Sequence, residues 1–239
     1  LDYDGTLAPF HADRMSAHPD PGVIPRLQEL SANEASRVAI VSGRPLSELK
    51  TLLGPDLPLE LWGAHGWEHR SASGDITVRR PPEPVRALME AALETVRDRV
   101  PVGLTERKAG SVAVHVRPLD DADRKTILSL VEEQWRPLTV NGTLELRAFD
   151  GGFELRALGC SKATAVGDVL REESDQHTGG LLVAYLGDDD TDEDAFVALR
   201  DTDWPVLVQA GARMSHARYL LRPPDELLRF LDRWNGVTG

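Results

Sequence analysis

The sequence opens with Asp2 and Asp4, two positions apart, followed by Gly5-Thr6. Side chains alternate faces along a strand, so both carboxylates fall on one face at a strand end. Gly5 then allows a sharp turn that a Cβ would resist. Such a pair supplies a nucleophile or metal ligand and a proton shuttle. The same string also reads as a solvated exit from a strand. A second acidic stretch, residues 187–194, has acids at six of its eight positions, directly after the apolar run Leu181–Leu186. Like charges gathered at a strand end repel unless a cation lies between them. Oxygen ligands without Cys or His nearby suit magnesium rather than zinc. An EF-hand loop beginning at Asp188 fails, because Glu193 stands where glycine is required and Leu199 where glutamate is required. An ordinary acidic helix start stays open.

Two further stretches are candidates. Ser42-Gly43-Arg44 follows the apolar run Val38–Val41, where backbone N–H groups and a hydroxyl at a helix start can hold phosphate oxygens. Ser-Gly is also a common N-cap turn. Lys162 sits in the first turn of a helix expected from Ser161 to Leu170, where a cation opposes the helix dipole. That placement points to phosphate binding; an ordinary surface lysine is the alternative.

The elements that would position these groups follow from periodicity. Helices are expected at 21–30, with Val23, Leu27 and Leu30 on one face, and at 46–53, closed by Gly54-Pro55. Strands are expected at 37–41, 59–62, 181–186, 206–208 and 219–221, with a final amphipathic helix at 224–234. Strand and helix alternating over short links imply a parallel sheet of βα units, and ligands in such sheets bind at the carboxyl ends of strands. The rhythm breaks between Ser71 and Pro84, where a Ser/Gly-rich turn, a short strand at 76–78 and Pro81-Pro82-Glu83-Pro84 mark a hinge or boundary. Helices at 85–99 and 122–135 and a strand at 112–116 follow. A hairpin is expected at Asn141-Gly142, between 138–140 and 144–146, with a second turn at Asp150-Gly151-Gly152. The layout is an α/β domain of residues 1–70 and 158–239 with a smaller α/β insertion, 71–157.

Composition narrows the partners. The 239 residues carry 39 acids against 27 bases, a net charge of −12, which disfavours nucleic acid and anionic membranes. With 41% hydrophobic and 28% charged residues, this is the balance of a globular protein, and no apolar run approaches a membrane span. The single Cys160 excludes an internal disulfide framework and suits a reducing compartment, so a cytoplasmic setting is expected. A monomer is compatible with these features. A buried strand carrying Asp2 would have to begin upstream of Leu1, so the real N-terminus is expected to lie beyond this sequence.

Taken in order, Asp-x-Asp-Gly-Thr, Ser-Gly-Arg, a helix lysine and Gly-Asp-Asp resemble the haloacid dehalogenase superfamily of phosphotransferases, over nearly the whole chain. The resemblance implies a Rossmann-like core with an inserted cap. It gives Asp2 the role of the nucleophile that becomes an aspartyl-phosphate and Asp4 that of the general acid/base. Ser42, Gly43 and Lys162 would hold the phosphoryl group. Magnesium would be ligated by Asp2, Asp188 and the backbone carbonyl of Asp4, with Asp189 ligating or acting through water. Within the superfamily, residues 2–9, His65-Gly66-x-Glu68 and Gly187-Asp188-Asp189-x-Thr191-Asp192-Glu193-x-x-Phe196 are similar to trehalose-6-phosphate phosphatases.

That likeness implies a small-molecule sugar phosphate as substrate, contacted by His65 and by cap residues Glu106, Lys108, Arg117 and Glu154. Two positions depart from the family pattern: Asp150 stands where a lysine is usual, and Ala163 rather than glycine follows Lys162. The readings that follow are a trehalose 6-phosphate phosphatase, a phosphatase of a related sugar (sucrose 6-phosphate, a glucosylglycerol-type phosphate, a validoxylamine-type pseudosugar phosphate), or a sugar-phosphate sensor without turnover.

Overall fold

Short apolar runs punctuated by Gly and Pro fold as the strands, and the amphipathic runs between them as the helices. The structure, a computed structural model, describes residues 1–11, 13–55, 57–149, 151–176 and 180–238. Its first part comprises α1 (Val23–Ala32), β1 (Ala39–Val41), α2 (Leu46–Leu53), β2 (Glu60–Gly63), β3 (Glu68–Arg70) and β4 (Ile76–Val78). The middle comprises α3 (Glu83–Val96), β5 (Thr105–Arg107), β6 (Ser111–His115), α4 (Asp121–Trp135), β7 (Leu144–Phe149) and β8 (Gly152–Ala157). The last part comprises α5 (Lys162–Gln176), β9 (Ala184–Gly187), α6 (Asp190–Ala198), β10 (Trp204–Val208), β11 (Tyr219–Leu221) and α7 (Asp225–Thr238). No helix among the described residues is long and apolar enough to cross a membrane. The chain divides into two compact units, 1–77 with 161–239, and 78–160.

In the first unit β1 and β2 pair in parallel, with Ile40 opposite Leu61, and β9, β10 and β11 form a second parallel set with β10 in the middle. Residues 1–3 join the two sets. The Asp2 N–H donates to the Leu186 carbonyl and the Val41 N–H to the Leu1 carbonyl, both at 2.8 Å. The opening segment thus occupies the central place of a parallel array without being a regular strand itself. Strand β3 extends the β2 edge in the antiparallel sense, so the sheet is mixed rather than purely parallel.

Both faces of the array are covered, and residue alternation shows how. Tyr3, Ile40, Leu61 and Leu186 pack with Leu27 of α1, Leu49 of α2 and Leu227 of α7. Their neighbours Val41, Trp62 and Tyr185 pack on the other face with Ala165 and Val166 of α5 and Phe196 of α6. Side chains two apart on a strand share a face. With Tyr3 turned toward α1, Asp2 is turned toward α5.

The second unit is a four-stranded antiparallel sheet in the order β5-β6-β8-β7 with α3 and α4, tied together by the Trp135 Nε1–H donating to the Ala92 carbonyl at 2.9 Å. Here the expected hairpin at Asn141-Gly142 does not form. Leu138 and Thr139 lie in a 3₁₀ turn, Arg136–Thr139, that continues directly from α4, so no strand precedes Asn141. Local helix continuation past Trp135 outweighs the turn signal, and Val140, 82% exposed, has no face to bury. The hairpin lies one turn later and joins β7 to β8, with Phe149 opposite Gly152. Asp150 lies outside the described residues.

Leu186 is fully buried beside the opening segment. Leu186→Ala is expected to cost about 2–5 kcal/mol by removing core contacts and leaving a cavity, measured by equilibrium denaturant unfolding. A loss under about 1 kcal/mol would contradict this packing.

Candidate active site

The candidate side chains are delivered by the carboxyl ends of the central segment, β1 and β9, and by the first turn of α5. That helix begins with a reciprocal cap: Ser161 Oγ accepts from the Thr164 N–H at 3.2 Å and Thr164 Oγ1 from the Ser161 N–H at 2.8 Å. The cap sets Lys162 at the first helical position, aimed at the sheet. Its ammonium donates to Asp2 Oδ1 at 2.7 Å and Asp192 Oδ1 at 2.8 Å, and lies 3.7 Å from Asp189 Oδ1. Lys162, Asp2, Asp188 and Asp192 are all buried. The cation that opposes the helix dipole is therefore held by carboxylates on other elements.

The acidic stretch after β9 divides by task. Asp189 is the N-cap of α6, accepting from the Thr191 N–H at 2.8 Å and Oγ1 at 2.7 Å. Asp190 and Glu193 lie in the first turn of α6, where carboxylates favour the helix dipole. Asp188 and Asp192 instead face the site. Within one stretch, Asp189, Asp190 and Glu193 thus serve the helix start, while Asp188 and Asp192 join a buried acidic cluster with Asp2. Arg213 reaches across from the segment after β10 and donates to the carbonyls of Asp188 and Asp189 at 3.2 and 2.9 Å, fixing the backbone of this loop.

Asp192 was not singled out by its type or spacing, because acids at the third position of a helix are ordinary capping-box residues. Within the structure both its oxygens are engaged. Oδ1 accepts from Lys162 and, at 2.6 Å, from the Tyr185 hydroxyl, and Oδ2 accepts from the N–H groups of Asp188 and Asp189 at 3.1 and 3.2 Å. It ties the lysine, the tyrosine and the acidic loop together. Its place in the Gly187-Asp188-Asp189-x-Thr191-Asp192 stretch quoted above was the available sign.

Asp2, Asp188 and Asp192 offer carboxylate oxygens within 4.8 Å of one another, with one lysine to neutralise them. The electrostatics record the imbalance. Burial, then the nearby Asp192, pushes Asp2 well above the usual carboxylate range. Burial and the Asp189 carboxylate push Asp188 up to about 7, and burial raises Asp192 as well. Burial works in the same sense on Asp189, but Lys162 and the bonds from Thr191 bring it down to about 2. Burial disfavours the Lys162 ammonium, yet Asp192 and Asp2 outweigh it and leave its pKa raised. Clustered buried carboxylates that resist ionisation, with oxygen donors only, fit a hard divalent cation. Asp2 and Asp188 have oxygens to give it, whereas those of Asp192 are already bonded.

Glycine at two positions makes this approach possible. Gly5 has φ +79°, and a Cβ there would lie 2.0 Å from Asp188 Oδ2. A Cβ on Gly187 would lie 2.3 Å from Asp192 Cγ.

Ser42 is buried at the end of β1, and its Oγ accepts from the Arg44 N–H at 3.1 Å. Gly43 lets the His65 imidazole lie against its backbone. Ala64 and His65 both have left-handed backbone, φ 49° and 57°, strain of about 1–3 kcal/mol each that is characteristic of functional turns. Asp4 is held by Arg44 in a two-pronged ion pair, Nε to Oδ2 at 2.7 Å and Nη2 to Oδ1 at 2.6 Å.

In the second unit, Glu154 accepts from Lys108 Nζ at 2.9 Å and Ser111 Oγ at 2.6 Å. Glu106 pairs with His115 at 2.8 Å. The register sets Glu106 and Glu154 on either side of Ala113, so these residues share one sheet face. Arg117 lies against Gly151 at the β7–β8 turn.

Gly5→Ala is expected to weaken divalent-cation affinity at least about tenfold by displacing Asp188, an effect of the size seen when residues supporting metal ligands are altered. Calorimetric titration with manganese measures it; an affinity equal to that of the parent protein would contradict the placement of Asp188.

A sequence model of the trehalose-phosphatase family matches residues 1–223. The trehalose-phosphate phosphatase of Mycobacterium marinum is 31% identical over 98% of this chain and 60% of its own length, so the chain spans about three-fifths of that relative. Among solved structures, the C-terminal domain of the Candida albicans trehalose-6-phosphate phosphatase matches with TM-score 0.81 and 21% identity, covering 100% of this chain and 92% of that one. A haloacid dehalogenase-like hydrolase from Bacteroides thetaiotaomicron matches with TM-score 0.65 and 15% identity over 98% and 97% of the two chains. The chain belongs to the trehalose-phosphatase family.

Proposed function

We propose that this chain hydrolyses trehalose 6-phosphate to trehalose and phosphate by double displacement, with magnesium as its cation. The observation that carries the reading is the meeting of Asp2, Lys162 and Asp188, distant in sequence, in one buried cluster of a chain that belongs to this family. The identity of the M. marinum trehalose-phosphate phosphatase supports the substrate.

In this reading an Asp2 oxygen attacks phosphorus in line with the sugar 6-oxygen, the P–O bond to the sugar breaks, and Asp4 gives its proton to the departing oxygen. Asp4 then takes a proton from water as that water attacks the aspartyl-phosphate, releasing phosphate and restoring Asp2. Ser42, the backbone at Gly43 and the Lys162 ammonium hold the equatorial phosphoryl oxygens, where charge must be neutralised and geometry fixed. Asp2, Asp188 and the backbone carbonyl of Asp4 would hold the cation, with Asp189 ligating or acting through water. When bound, magnesium supplies charge neutralisation to the phosphoryl group and to the acids. Lys162 offsets part of the repulsion among the carboxylates around it, and a bound cation would add to this in favouring the ionised Asp2 needed for attack. His65, Glu106, Lys108, Arg117 and Glu154 are the residues assigned to the sugar; the Lys108–Glu154 pair offers both donor and acceptor to hydroxyls.

A phosphate-release screen over trehalose 6-phosphate, sucrose 6-phosphate and glucose 6-phosphate, with and without magnesium, tests this. Trehalose 6-phosphate is expected to exceed the others in kcat/KM by at least about tenfold, a difference in transition-state binding. Chelation is expected to abolish turnover, and Asp2→Asn to abolish it with the fold intact. Equal low rates on all three sugars would overturn the substrate, and phosphate release by Asp2→Asn would overturn the nucleophile.

A further inference from the structure

Arg44 is the third residue of the Ser-Gly-Arg stretch, and the catalytic reading leaves it without a task. It is 5% exposed, although a guanidinium is seldom buried without several partners. Its fork grips both Asp4 oxygens, Nε on Oδ2 and Nη2 on Oδ1. Its remaining nitrogen, Nη1, donates to the Arg14 carbonyl at 2.8 Å and to Glu48 Oε2 at 3.2 Å. The Tyr3 ring lies beneath the guanidinium, 5.5 Å from ring centroid to Cζ. The same residue's N–H donates to Ser42 Oγ, and its carbonyl accepts from the Ala64 N–H at 2.8 Å. The guanidinium is therefore held by the Arg14 carbonyl, Glu48 and the Tyr3 ring as well as by Asp4. Asp4, by contrast, keeps a 28% exposed side chain and follows directly on Tyr3, just before the turn at Gly5. Arg44 is the group bonded to both Asp4 carboxylate oxygens.

We propose that Arg44 is a positioning residue for proton transfer: its planar fork fixes the Asp4 carboxyl in the orientation from which it protonates the departing sugar oxygen. The inference rests on the double-displacement reading above. Each carboxylate oxygen has two lone-pair sites, so an Asp4 oxygen bonded to Arg44 retains one for the proton it passes on. In the first step the P–O bond to the sugar breaks and the leaving oxygen takes the Asp4 proton. In the second, attacking water returns a proton to the same oxygen. Arg44 remains charged and bonded throughout and exchanges no proton. A lysine keeps the charge but loses the two-pronged geometry, which separates orientation from electrostatics.

Leaving-group dependence is the readout that a merely structural role would not move. A sugar alkoxide needs a proton to depart, whereas p-nitrophenolate leaves without one. Arg44→Lys is expected to lower turnover of trehalose 6-phosphate by about 10²-fold, the low end of what general acid catalysis contributes. The pre-steady-state burst of p-nitrophenolate from p-nitrophenyl phosphate should fall no more than about threefold in the same variant, because that step draws little on general acid catalysis. In an Asp4→Asn background the arginine substitution should cause no further loss on the sugar phosphate, since coupled residues are non-additive. Glu48→Gln, which removes a charge beside Arg44 Nη1 but keeps an oxygen acceptor there and leaves both bonds to Asp4 in place, should change the ratio of the two rates by less than about twofold.

Equal losses on both substrates, additivity with Asp4→Asn, or a ratio change from Glu48→Gln matching that of Arg44→Lys would each overturn the proposal. Should the lysine variant not fold, a crystal structure of the parent protein with magnesium and beryllofluoride decides the matter. At least one Arg44–Asp4 contact is expected to persist there, and its complete loss would overturn the proposal. A parent protein that hydrolyses neither substrate would overturn the double-displacement reading itself, a failure distinct from one confined to Arg44.

Discussion

Repulsion among Asp2, Asp188 and Asp192, buried around the one ammonium of Lys162, is the constraint that shapes the first unit. Each carboxylate taken out of water would cost several kcal/mol if left unpaired. The raised pKa values of Asp2 and Asp188 record how incompletely one lysine answers them. The fold places these charges where three separate supports converge: the amides at the start of α6, the first turn of α5, and the junction of two parallel strand sets. A cluster so arranged is poorly stable by itself and well suited to a divalent cation and a phosphoryl group. Stability is given up to hold a buried acidic cluster together.

The sheet produces this placement through alternation. Tyr3 packs into the core shared with α1 and α7, which turns Asp2 to the opposite face, where α5 brings Lys162. Tyr185 lies on that same side of β9 and reaches Asp192 with its hydroxyl, while Leu186 fills the other core. One period-2 pattern therefore supplies both the apolar packing and the polar cluster. The acidic stretch shows the same economy, since Asp189 caps a helix that carries Asp192 back into the site.

Much of this was legible in the sequence. The order of βα units follows from apolar runs between Gly and Pro; Ser42 and Asp188 stand out because each sits at the carboxyl end of such a run, and Asp2 because Asp4 and Gly5 follow it. Lys162 stands out because it opposes a helix dipole. Other features depend on distance relations that no local pattern carries. Asp192 looks like any acid in a helix first turn until Lys162 and Tyr185 arrive from elsewhere. Arg44 looks like part of a turn until its fork meets a carboxylate forty residues earlier. At Asn141-Gly142 a strong local turn signal misleads, because the residues before it extend α4. Strand β3 was hidden by the Gly-rich, left-handed turn that precedes it.

The account stands on Asp2 acting as the nucleophile within this cluster. The most direct measurement is acid-quench trapping during turnover of trehalose 6-phosphate with magnesium, followed by borohydride reduction and peptide mass spectrometry. An aspartyl-phosphate at residue 2 is reduced to homoserine there, and that conversion is the result expected, dependent on substrate and absent after chelation. Homoserine at Asp4 or Asp188, or turnover with no trapped residue at all, would contradict the account.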